Sequence, residues 1–403
     1  MDDDEIESDE AAADAGRGDD AALPASGAWR EGDHPGARRF FGLGELALEA
    51  DALGVLPGVR VAYETWGTLN PARDNAVYIA HALTGDSHAT GPAGDGHRTG
   101  GWWASMVGPG RAIDTDRYFV ACANIVGGCQ GSTGPASPHP KDGRPWGSRF
   151  PRLTLRDMAR AEVALTDYLD IPSWRLVIGP SLGGMRALEF ALLAPEKVRG
   201  LALLGATAAS TADQIAWSAP QLAAIRADPR FRGGDYYDAA AGDGPHVGLG
   251  IARMIAHATY RSAGELNSRF GRAAQGAQNP VGGGGRFAVE SYLEHHARKL
   301  ASRFDANTYI TVVEAILSHD VGRARGGVER ALAGLETPAL VIAVDSDRLY
   351  PVGDSEELDR LLPGSRGVTV LNSEVGHDGL LVESAELSAT VSTFAAAPLP
   401  SRR

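Results

Sequence analysis

The stretch Leu176-Val177-Ile178-Gly179-Pro180-Ser181-Leu182-Gly183-Gly184-Met185 decides how this chain folds. An apolar triplet runs into a glycine- and serine-rich turn, and residues 185–194 then carry a helix-like pattern. Strand, sharp turn and helix follow one another with a serine at the apex of a G-x-S-x-G turn. Gly179 and Gly183 omit side chains where strand and helix pass close. The helix N-terminus beneath Ser181 offers N–H groups without intrahelical partners to a developing negative charge. Ser181 is therefore a candidate nucleophile. A serine hydroxyl reacts poorly until a positioned base takes its proton and a third group orients that base, so partners must lie elsewhere in the chain.

Working outward, seven segments read as strands: 59–65, 76–81, 118–124, 176–178, 200–204, 339–345 and 368–371. Several are continuous apolar runs, as in strands covered on both faces. Helical patterns at 155–168 and 182–194 alternate with them. The first opens at Thr154 with Asp157 as a capping-box pair, and the second stops at Pro195. Alternation of this kind predicts an α/β fold with a mainly parallel sheet flanked by helices. From about 207 to 330 no strand pattern is evident, and 214–227, 249–260, 287–303 and 306–317 read as helices. The expected organisation is a core over 36–206 and 331–403, interrupted by a helical lid over 207–330 that sits above Ser181. Such a lid keeps water from a covalent intermediate. The glycine run 282–285 reads as a hinge, since no strand feeds it and no Walker lysine follows.

With 43% hydrophobic residues among 403, the chain can fill a packed interior. Ten acids and Arg17 fall within residues 1–20, so −9 of the formal −13 belongs to that end. Residues 1–35 are read as an acidic disordered tail, since the first 27 lack the apolar side chains to offset ordering entropy. No long apolar stretch or signal pattern is present, which points to a cytoplasmic protein with no membrane partner. The body lacks the basic stripe that nucleic acid requires. Cys122 and Cys129 form no disulfide framework and read as buried filler. No H-E-x-x-H or C-x-x-C spacing occurs, so no metal site is expected.

On a sheet of the α/β-hydrolase type the chain order is serine, acid, histidine, each on a loop at a strand's carboxyl end. The loop after 339–345 holds Asp345 and Asp347, and the loop after 368–371 holds His377. Asp347 lies further out on its turn than Asp345, so Ser181, Asp347 and His377 make the expected triad. His319 precedes the acid loop and does not fit the order. An oxyanion needs two donors. Leu182 N–H supplies one, and Leu83 N–H, on the loop after 76–81, supplies the other.

Ten motifs carry a resemblance to one family: HALTGDSH at 81–88, GWW at 101–103, IDTDRYF at 113–119, NIVGGCQGSTGP at 124–135, GPSLGGM at 179–185, TYR at 259–261, ESYL at 290–293, RFD at 303–305, SDRLYP at 346–351 and GHD at 376–378. Together they resemble homoserine O-acetyltransferase from about residue 37 to 395. The resemblance implies an α/β-hydrolase core with a helical lid, no cofactor, and ping-pong transfer of acetyl from acetyl-CoA through Ser181 to L-homoserine in methionine biosynthesis. It implies the same triad, substrate contacts from Arg253, Tyr260 and Asp378, and a homodimer formed through the lid. An arginine can clamp a carboxylate and an aspartate can pair with an ammonium, so these residue types suit an amino acid. Pro180, Leu182, Arg186 and Phe190 depart from residues frequent in the family; Leu182 still donates its amide. Relatives of this scaffold use succinyl-CoA or serine, and an ester hydrolase on the same triad is the alternative from another class.

Overall fold

The computed structural model describes residues 22–382 and 384–398. Among the described residues ten strands form in chain order: β1 (Arg39–Ala47), β2 (Val55–Trp66), β3 (Ala76–Ile79), the short pair β4 (Val107–Gly108) and β5 (Ile113–Asp114), β6 (Phe119–Ala123), β7 (Leu176–Pro180), β8 (Leu201–Leu204), β9 (Ala339–Val344) and β10 (Ser365–Leu371). Eight of them build one sheet in the order β1-β2-β6-β3-β7-β8-β9-β10. From β6 to β10 every pairing is parallel, while β1/β2 and β2/β6 are antiparallel. This is an α/β-hydrolase fold with a mainly parallel sheet flanked by helices.

The pleat sends alternate side chains to two apolar layers. Tyr78 and Val177 face one layer with α1 (Leu155–Tyr168) and α2 (Leu182–Leu193), whereas Val77, Ile79 and Ile178 face the other, against Trp103 and Met106. The Thr154–Asp157 capping box closes α1 reciprocally. β1 was not among the expected strands, because its side chains are mostly solvated and two glycines interrupt its register against β2.

Between β8 and β9 the chain forms α3 (Ala212–Ala227), α4 (His246–Tyr260), α5 (Ala263–Phe270), α6 (Ala288–Arg303), α7 (Ala306–Leu317) and α8 (Val328–Leu332). Leu222, Ile225, Leu249, Leu300, Phe304 and Tyr309 close a third apolar cluster within this segment. Two more helices, α9 (Val352–Leu361) and α10 (Ala385–Ala396), complete the chain order; α10 buries Leu387, Val391 and Ala395 on one stripe.

Residues 1–21 of the expected acidic tail lie outside the described residues. Within the part from 22 to 35 the structure corrects this expectation: residues 23–28 pack on the helical segment, while 30–35 are exposed. Ala25, Ser26 and Ala28 are buried, Ser26 Oγ donates to Asp305 Oδ1 at 2.7 Å, and Gly27 N–H donates to Phe304 O at 3.0 Å. Small side chains allow this close seating, and composition alone does not reveal where they dock.

Candidate active site

Ser181 sits between β7 and α2 at φ 56°, ψ −124°. A non-glycine residue held there costs on the order of 1–3 kcal/mol, which surrounding contacts must offset. The Ser181 N–H donates to Leu204 O at 2.7 Å, and a Cβ on Gly183 would lie 1.9 Å from Ala80 O. Only glycine lets α2 come this close to the end of β3. The first bond of α2 runs from Met185 N–H to Ser181 O at 3.2 Å, so the Leu182 N–H, one residue after the serine, has no acceptor in its own helix. Opposite, Gly85 N–H closes a turn onto Ala82 O at 3.0 Å, and Leu83 within that turn lines the same cavity as Ser181.

The loops after β9 and β10 meet here. Asp347 Oδ1 accepts from the Leu349 and Tyr350 amides at 2.8 and 2.9 Å, which fixes its carboxylate. Its Oδ2 lies 2.6 Å from His377 Nδ1. A carboxylate can only accept, so Nδ1 carries the proton and Nε2 is left with its lone pair. Burial by itself would lower the His377 pKa; the charge and hydrogen bond of Asp347, and then Asp378, outweigh it and hold the imidazole above its ordinary value. Tyr350 stacks on His377 with ring centres 5.0 Å apart, and burial pushes its phenol well above the usual range.

A cavity of about 70 Å³ is lined by Ser181, His377, Leu83, Arg253, Tyr260 and Asp378, with Leu380 and Leu381 completing an apolar wall. Leu182 is fully buried beneath it and does not line it. The structure thus brings Ser181, His377, Leu83, Arg253, Tyr260 and Asp378 to one space, with Asp347 behind His377. The Arg253 guanidinium lies 5.4 Å from the Tyr260 ring centre, and burial raises the Tyr260 hydroxyl to about 12. Among the described residues no acid comes within ion-pair distance of Arg253, so it presents an uncompensated cation to the cavity. Asp378 Oδ2 lies 3.1 Å from Arg261 Nε.

The rival residues are occupied elsewhere. Asp345 Oδ1 accepts from Ser373 N–H at 3.0 Å. His319 is buried 3.1 Å from Thr207 O and lowered to about 4 by burial. His81 accepts from Ile125 N–H at 3.2 Å through Nε2 and is lowered to about 3 by burial and Arg186.

Several supporting residues had no local signal in the sequence. Gly205, at φ +53°, leaves space for the His377 ring. Arg186 is fully buried, pairs with Glu162 and donates to His81 O at 2.7 Å, bracing the loop that carries Leu83. Arg303 reaches the same loop, with Nη1 2.9 Å from Thr84 O. Among the described residues one trio of possible metal ligands assembles: Glu64, His88 and His97. Their atoms are engaged in hydrogen bonds within the protein. His88 places Nδ1 2.9 Å from Glu64 Oε2 and Nε2 3.2 Å from Pro92 O, while His97 Nε2 accepts from Ala37 N–H at 3.1 Å. Donation from both nitrogens makes His88 an imidazolium; burial opposes that charge, and Glu64 outweighs it. These partners lie far apart in sequence, and only β2 beside the loop after β3 brings them together.

Comparison with known proteins bears on the fold and the family. The model of the alpha/beta hydrolase fold matches residues 75–383. A homoserine O-acetyltransferase of Thermobifida fusca is 58% identical over 370 residues, covering 92% of this chain and 96% of that protein. Among solved structures, homoserine O-acetyltransferase from Bacillus anthracis superposes with a TM-score of 0.81 at 28% identity, covering 91% of this chain and 99% of that one. A crystallised esterase follows at TM-score 0.79 and 26% identity, covering 89% and 99%. With most of its length matched to such relatives and its serine, acid and histidine on the loops that the fold provides for them, the chain belongs to the homoserine O-acetyltransferase family.

Proposed function

We propose that the protein transfers acetyl from acetyl-CoA to the hydroxyl of L-homoserine, giving O-acetyl-L-homoserine for methionine biosynthesis. The observation that carries this is the single cavity shared by Ser181, His377, an uncompensated Arg253 and Asp378. His377 Nε2 takes the Ser181 proton as Oγ attacks the thioester carbonyl, and the oxyanion falls on the Leu83 and Leu182 amides. Collapse breaks the C–S bond, the thiol leaves with the proton held by His377, and acetyl-Ser181 remains. Homoserine then enters with its carboxylate on Arg253 and its ammonium on Asp378. Tyr260 packs beside Arg253 and confines the acceptor. His377 takes the acceptor's hydroxyl proton, the new ester forms, and the proton returns to Ser181. Asp347 holds the ring and stabilises the imidazolium in both halves.

The small cavity with its leucine wall supports an acetyl over a succinyl group. The likeness to an esterase supports hydrolysis as the second reading, because water can replace the acceptor at the same acyl-enzyme. The steps need no cofactor beyond the two substrates, and use of a thioester donor supports a cytoplasmic location. No described helix is long and apolar enough to cross a membrane. Exposed Ile215 and Trp217 on α3 and Val247 and Ile251 on α4 support a homodimer through the helical segment.

The test is purified enzyme with acetyl-CoA or succinyl-CoA, with or without homoserine or serine, following thiol release and identifying the ester by mass. Acetyl-CoA turnover unchanged by omitting the amino acid defeats the transferase reading in favour of hydrolysis. Ser181→Ala abolishes turnover in a folded protein; substantial residual transfer rules out the covalent route.

A further inference from the structure

The mechanism above leaves one contact at the cavity unused. Arg261 ends α4 in the helical segment, whereas Asp378 follows His377 in the core, and their charged groups approach to 3.1 Å. The backbones bearing them are pressed together. A Cβ on Gly376 would lie 2.7 Å from Ser262 N and 2.8 Å from Tyr260 O, and Ser262 Oγ donates to Glu374 O. The 260–262 segment is therefore seated on the histidine loop, and the ion pair spans that seam. Arg261 continues outward, with Nη1 3.4 Å from Glu265 Oε1, and Arg269 approaches the same oxygen at 3.9 Å.

Asp378 alone on its short turn could swing its carboxylate toward His377 or out of the cavity. An arginine on Oδ2 fixes the rotamer, while Oδ1 remains for a ligand. We propose that Arg261 is the positioning residue for the acceptor's ammonium: it presents Asp378 to the amino acid and acts on the second half-reaction alone. This rests on the reading that Asp378 receives the ammonium. The donor thioester brings no ammonium to that place, so acetylation of Ser181 does not depend on the pair. Arg261 thereby sets specificity for amino-acid alcohols over plain hydroxy acids without touching the substrate.

The test separates the halves in the full-length enzyme. Rapid mixing with acetyl-CoA measures thiol release as Ser181 is acetylated. The acetyl-enzyme is then discharged by homoserine, by water, or by the des-amino analogue that keeps hydroxyl and carboxylate. Arg261→Met leaves acetylation and discharge by water unchanged. It lowers kcat/KM for homoserine by roughly 10- to 100-fold, the range for losing a charge-assisted contact, with the change mainly in KM. The analogue reacts equally with parent and variant. Arg261→Lys keeps the charge but not the planar fork and recovers part of the loss. Equal losses on homoserine and the analogue, slowed acetylation, or no loss on homoserine each overturn the proposal. If the parent enzyme itself does not distinguish homoserine from the analogue, the Asp378 reading falls and the proposal with it. If the parent distinguishes them and Arg261→Met does so equally well, only the proposal falls.

Discussion

Gly205→Ala probes how tightly His377, the proposed base, is held. Gly205 follows β8 at φ +53°, and its N–H donates to Ile342 O at 2.8 Å, so the backbone cannot easily turn away. A Cβ there would lie 2.5 Å from Leu380 Cδ1, 3.2 Å from His377 Cε1 and 3.5 Å from Nδ1. The leucine methyl can rotate, although it is buried in an apolar layer. The imidazole has less freedom, because retreat lengthens its 2.6 Å bond to Asp347 or presses it on Tyr350. The left-handed backbone costs an alanine about 1–2 kcal/mol, and overpacking adds about 1–3 kcal/mol. Unfolding stability should fall by about 2–5 kcal/mol in a denaturant titration. Displacing a base by tenths of an ångström should slow Ser181 acetylation roughly 10- to 100-fold. Gly54→Ala is the control, since Gly54 has φ +72° with nothing within 4 Å of its added Cβ. It should lose stability through backbone strain and keep the parent acetylation rate. A Gly205→Ala enzyme that acetylates at the parent rate refutes the claim that this glycine positions His377.

The acid limb of the acetylation rate should lie above the ordinary histidine value of about 6.5, because His377 must be neutral to accept the serine proton and Asp347 outweighs burial to raise its pKa. Rates therefore climb as pH rises through that limb. Asp347→Asn should move the limb to lower pH and cut kcat by roughly 10⁴-fold, and a limb that stays in place contradicts the assigned cause. Glu162→Met strands the fully buried Arg186 and should cost about 3 kcal/mol in thermal or denaturant unfolding. Adding Arg186→Met should restore most of that stability but not the acetylation rate, because Arg186 also braces the loop carrying Leu83 through His81 O. Recovery of both by the double variant shows that the brace has no part in catalysis.

Much of the frame was legible because its signals are local. Residues 76–79, 176–180 and 201–204 are buried on both faces, and continuous apolar runs are what such strands require. The capping pair Thr154 and Asp157 marked the start of α1 to the residue. Asp347 and His377 could be named because strands at a sheet's carboxyl edge restrict where loops can put them, and chain order did the rest. The antiparallel β1 left no comparable trace. Neither did the seating of residues 23–28, because small side chains against the helical segment resemble a linker in composition.

By itself, the sequence determined the alternation of strand and helix, the serine on its turn, and the order of its partners, since each depends on neighbours within a few positions. Tertiary structure alone decided which nitrogen of His377 meets Asp347, that Gly205 and Tyr350 bound its ring, and that Arg186 reaches across to the loop carrying Leu83. It also brought Arg261 to Asp378 across the seam between helical segment and core. These contacts join residues tens to more than a hundred positions apart. Their partners are chosen by how the packed layers meet, a property that no local stretch of the chain encodes.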